Sequence, residues 1–157
     1  DVAMVGMACR FPGGIEGPAM LWDAVRDGRS MVGKVPFDRW DADAVAAAEG
    51  TSGCTEVKKR MAVGGFIHGL ELFDNKFFRI SSAEVMAMDP QQRLLLEYSW
   101  QAFTDAGYTK ESLQQHNVGV FVGISTPDAV ELALSQRKGS DVYSANGMSN
   151  ATAAGRI

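Results

Sequence analysis

Two cysteines, Cys9 and Cys54, and two histidines, His68 and His116, are the only thiols and imidazoles in this 157-residue chain. A thiol attacks as its thiolate, because the neutral form is a poor nucleophile. These four residues are scattered. No close Cys/His cluster has zinc-like spacing, and two cysteines make no disulfide framework, so a reducing cytosol is the default. Asp89 with Glu84 or Glu97 could in principle act as an acid and base pair. Capping and solvated-face roles explain these carboxylates better. The eight methionines suggest a soft-metal site only at Met86 and Met88, and core packing is the simpler reading.

GRSMVGKV, residues 28–35, nearly completes a phosphate-cradling pattern. Val35 stands where a hydroxyl should ligate magnesium. A phosphate loop also needs a strand before it and a helix after it. Here a helix is predicted before it and Pro36 follows. Gly28 reads as a helix stop and Lys34 as an exposed loop charge. No nucleotide site is expected.

The elements around these residues follow from the apolar pattern. Val2 to Ala8 and Asn117 to Ser125 are apolar runs without alternation, which predicts strands buried on both faces. Pro18 to Asp27 predicts a short helix, with Leu21 and Val25 on one face and Trp22 beside them. Residues 41–60 read as a variable surface excursion, with a brief helix over Ala44 to Ala48.

MDPQQRLLLEYSWQAFTDAGY, residues 88–108, carries the strongest helix signal. Asp89 is placed to cap it, Pro90 occupies the first position, Gln92 has capping-box spacing, and Gly107 supplies the stop. Arg93, Glu97, Gln101, Thr104 and Asp105 fall on one polar stripe. A helix is expected from Pro127 or Asp128 to Arg137. Another begins near Ser149 or Asn150 and runs through Ala151, Ala153, Ala154 and Gly155, small residues that permit close packing. The whole reads as α/β.

Hydrophobic residues make up 46% and charged residues 22%, enough apolar material for a core. The net charge of −4 gives no nucleic-acid footprint, and the one basic run, Lys58-Lys59-Arg60, reads as a solvated loop. No apolar run is long enough for a membrane span. The start at Asp1 and the stop at Arg156-Ile157 suggest a chain cut from a longer polypeptide.

Several stretches occur together in one order: VAMVGMACRFPGG, LWDAVRDGR, VPFDRWD, FDNKFFRIS, AMDPQQRLLLEYSWQAFTDAGY, VGVFVGIS and NATAAGRI. This ordered set closely resembles the beginning of the β-ketoacyl synthase domain of type I polyketide synthases. The resemblance implies a thiolase-like fold of αβαβα layers, with this chain, residues 1–157, supplying most of the first half only. Arg79 departs from the small or polar residue usual after FF. Ser82 departs from the common proline after IS, and the loop around Cys54 matches poorly.

The parent enzyme is then expected to be an acyltransferase that extends acyl chains by decarboxylative Claisen condensation, with a cysteine nucleophile, two histidines and an oxyanion hole. The resemblance puts that cysteine in a TACSSS-like motif shortly after AAGRIS and the histidines further on, so no catalytic side chain is expected in this chain. Cys9 reads as structural, Cys54 as part of the variable loop, and His68 and His116 as loop or cap residues. Asn146 and Met148, in SANGMSNATAAGRI, are the candidates for lining the acyl pocket or subunit interface. No cofactor is expected in the domain, since phosphopantetheine rides on the partner acyl carrier protein. A second ketosynthase copy is the other expected partner, and the expected location is the cytoplasm. The alternatives are the ketosynthase of a fatty-acid or polyunsaturated-fatty-acid synthase, or a noncatalytic interaction or dimerisation remnant.

Overall fold

The computed structural model describes residues 1–48, 60, 62–125 and 149–157. The chain divides into two compact units, Cys9–His68 and Asp1–Ala8 with Gly69–Ile157.

The Cys9–His68 unit opens on a tight reversal. Phe11 donates its N–H to the Ile15 carbonyl at 2.9 Å, and Gly13 and Gly14 take positive φ between them. Ile15 is 2% exposed. Helix α1 covers Pro18–Arg26, with Pro18 at its start. Gly28 at φ 62 ends it, its N–H on Val25 and that of Arg29 on Ala24. The stop is as expected, but the buried face is not. Ala24 is buried, while Trp22 and Val25 are both 66% exposed.

Strand β1, Gly33–Lys34, pairs antiparallel with β2, Val63–Gly64, in the register Gly33↔Gly64 and Lys34↔Val63. Lys34 is therefore an exposed strand residue rather than a loop charge. It does not stand between a parallel strand and a helix, the context that a phosphate loop requires. Helix α2, Ala42–Ala48, is held at its start by Asp41, whose Oδ1 accepts from the N–H groups of Asp43 and Ala44 at 3.0 Å each. It begins two residues earlier than the sequence suggests, because Asp41 captures those amides. Arg39 and Arg10 donate to the Ile67 and His68 carbonyls, and Trp40 meets Phe66 edge to face at 5.6 Å.

The second unit is built on helices α3, Ser82–Ala87, and α4, Pro90–Asp105, which follow one another with only Met88 and Asp89 between them. Ser81 Oγ caps α3 through the Glu84 N–H at 3.2 Å. Asp89 Oδ1 caps α4 through the Gln91 N–H at 2.7 Å, and Pro90 opens the helix. Gly107 at φ 81 closes α4, with its N–H on Thr104 and that of Tyr108 on Phe103. Helix α5, Lys110–Leu113, carries a complete capping box between Thr109 and Ser112. A 3₁₀ turn, Asn150–Thr152, leads into α6, Ala153–Arg156, which packs on α4. Ala87, Met88, Leu96 and Ala153 form the buried apolar core of this unit among the described residues.

The two long apolar runs depart from expectation. Neither Val2 to Ala8 nor Asn117 to Ser125 joins a ladder among the described residues, and Val2, Met4, Val5, Val118 and Phe121 are exposed. A run of this kind becomes a strand only when neighbours supply backbone partners on its edges. The first run instead leans on α4. Met7 donates its N–H to Asp105 Oδ2 at 2.9 Å. A Cβ on Gly6 would stand 2.3 Å from the Ala102 carbonyl oxygen, so the backbones are in close approach there. The methionines depart as well. Met88 is a core residue, but Met4, Met7, Met20 and Met86 are exposed.

Candidate functional site

The α3–α4 corner gathers the buried polar side chains of the second unit. Asp89 and Gln92 are buried, and Gln92 is 1% exposed. Asp89 lies there because its carboxylate accepts from the Gln91 N–H in the first turn of α4. Gln92, expected to close a capping box, sends its amide Nε2 to the Ser149 carbonyl at 3.0 Å. Thr152 Oγ1 donates to the same carbonyl at 2.8 Å. At the other end of that segment, Arg156 Nη1 meets Glu84 Oε1 at 2.7 Å, with both side chains largely covered. The corner therefore holds the Ser149–Arg156 segment from outside at two points.

Arg93 follows Gln92 on α4. Burial pushes its guanidinium below the usual value, and Asp89, Glu97 and Glu71 pull it back up. The expected polar stripe is thus divided. Gln101, Thr104 and Asp105 are exposed, whereas Arg93 and Glu97 are half-buried.

Beside this corner is an open cleft of about 230 Å³, lined by residues including Phe77, Leu96, Trp100, Phe103, Lys110 and Arg156. Lys110 Nζ lies 3.9 Å from the centre of the Phe77 ring, and Phe77 is 5.4 Å from Trp100. The wall is apolar, with a cation at its edge.

The residues singled out for chemistry are not brought together. Cys9 is a free, half-buried thiol. His68 is exposed on a bend, and its carbonyl receives Arg10. His116 is exposed just after α5, with Nδ1 2.7 Å from the Ser112 carbonyl and its ring against Tyr108. A carbonyl can only accept, so that nitrogen carries the proton. Cys54, Asn146 and Met148 lie outside the described residues, as does the helix expected over residues 127–137. Among the described residues, no three His, Cys, Asp or Glu side chains gather into a possible metal site, and no helix is long and apolar enough to cross a membrane.

A reading of the sequence alone misses both outside anchors. Gln92 gives a local signal, its spacing from Asp89, that explains it without any distant partner. Glu84 and Arg156 are 72 positions apart, and nothing in either stretch announces the other.

The mixed helical and extended segments go with the thiolase-like fold of the solved ketosynthases that this chain matches. The model of the family described as β-ketoacyl synthase, N-terminal domain, matches residues 1–157, and the chain belongs to that family. A phenolphthiocerol/phthiocerol polyketide synthase polypeptide of Mycobacterium tuberculosis (strain CDC 1551 / Oshkosh) is 39% identical over 156 residues, covering 99% of this chain and 8% of that protein. Polyketide synthase GfsA of Streptomyces halstedii is 42% identical over 158 residues, covering 99% of this chain and 2% of that protein. Among solved structures, the ketosynthase from module 6 of the bacillaene synthase of Bacillus subtilis 168 matches with a TM-score of 0.73 at 32% identity, over 99% of this chain and 22% of that one. The oxazolomycin ketosynthase domain of Streptomyces albus JA3453 matches with a TM-score of 0.73 at 33% identity, over 98% of this chain and 26% of that one. The chain thus spans under a tenth of these synthases and about a quarter of these ketosynthase chains.

Proposed function

We propose that residues 1–157 are the N-terminal portion of a ketosynthase that elongates acyl chains in polyketide biosynthesis. The observation that carries this reading is the family match over the whole chain. The relatives named above are polyketide synthases, which disfavours both a fatty-acid synthase and a noncatalytic remnant.

The reaction is a decarboxylative Claisen condensation. A cysteine thiolate attacks the thioester carbonyl of an acyl group on the phosphopantetheine of an acyl carrier protein. A new thioester forms on the enzyme and the carrier thiol leaves. A malonyl-type extender on a carrier then loses carbon dioxide. The resulting enolate carbon attacks the enzyme thioester, a carbon–carbon bond forms, and the cysteine thiolate departs. Two histidines support the decarboxylation, and backbone N–H groups hold the oxyanion.

In this reading neither Cys9 nor Cys54 is the nucleophile, and these 157 residues supply scaffold. The anchored Ser149–Arg156 segment leads toward the nucleophile, and Asn146 and Met148 line the acyl pocket or the interface with a second ketosynthase copy. The acyl carrier protein and that second copy are the partners, the domain itself binds no cofactor, and the location is cytoplasmic.

The test is acylation of the intact parent enzyme with a radiolabelled acyl thioester, followed by mapping of the labelled peptide. Cys9→Ser and Cys54→Ser variants are expected to label as the parent does, at a third cysteine. Saturable labelling at Cys9 or Cys54 overturns the assignment.

A further inference from the structure

We draw no further inference here: the strongest candidate, the open cleft lined by residues including Phe77, Leu96, Trp100, Phe103, Lys110 and Arg156, is an unpartnered apolar face, and nothing in the structure shows what covers it.

Discussion

Arg156 Nη1 and Glu84 Oε1 meet at 2.7 Å across 72 positions of sequence, with side chains only 15% and 28% exposed. A pair this covered differs from the exposed Arg26–Asp23 contact, which water and salt screen. Removing one partner leaves the other charge partly desolvated. Glu84→Gln in the intact parent domain is expected to lower unfolding stability by about 1–3 kcal/mol. Asp23→Asn is expected to change it by less than about 0.5 kcal/mol. Urea unfolding midpoints measure both. Equal effects would mean that the Glu84–Arg156 pair is worth no more than a surface contact.

Arg79 is the one non-glycine with positive φ among the described residues, at 56°. It closes the turn that begins at Asp74, with its N–H on Lys76 and that of Ile80 on Asn75. An L side chain in that conformation costs about 1–2 kcal/mol. Arg79→Gly is expected to raise stability by up to about 1 kcal/mol, and Arg79→Val to lower it, since β-branching worsens the clash. The neighbouring departure is benign. Ser82 is the first residue of α3, where a proline fits without losing a helical hydrogen bond. Ser82→Pro is expected to stabilise by about 0.4–1 kcal/mol, read as a rise in Tm.

Gly6 is where the Val2 to Ala8 run meets α4. A Cβ there would lie 2.3 Å from the Ala102 carbonyl oxygen and 2.8 Å from the Ala106 Cβ. Backbone cannot yield as a flexible side-chain tip can. Gly6→Ala is expected to cost about 1–3 kcal/mol. Gly14→Ala serves as a comparison, since nothing lies within 4 Å of its Cβ and only its positive φ resists. Thermal unfolding of the parent domain distinguishes a clash from backbone strain.

Taken alone, the 157-residue chain is expected to unfold without a sharp transition and to bind a hydrophobic dye. Phe121 is 97% exposed, and Val2, Phe37 and Met86 are exposed with it. Large apolar side chains left in water in this way favour association and dye binding. Calorimetry and sedimentation measure the outcome. A monodisperse monomer with one cooperative transition would show instead that the chain is self-sufficient.

The sequence by itself determined the boundaries of α1 and α4. Pro18, Asp89, Pro90, Gly28 and Gly107 act within one turn of where they stand, through a fixed φ, an absent N–H or a short carboxylate. Their consequences need no distant residue. The ordered motifs likewise carried the family, since they span the whole length that the family model matches.

Only the tertiary structure decided what each face touches. Trp22 and Val25 are apolar on a helix whose buried residue is Ala24. The runs at Val2 and Val118 have the composition of buried strands but meet no ladder among the described residues. Gln92 has a spacing that explains it locally, yet its amide serves Ser149, 57 positions away. Burial and long-range hydrogen bonds depend on which segments come together in space. A periodic pattern states only that a residue has an apolar or polar preference, whereas the fold supplies the neighbour that meets it.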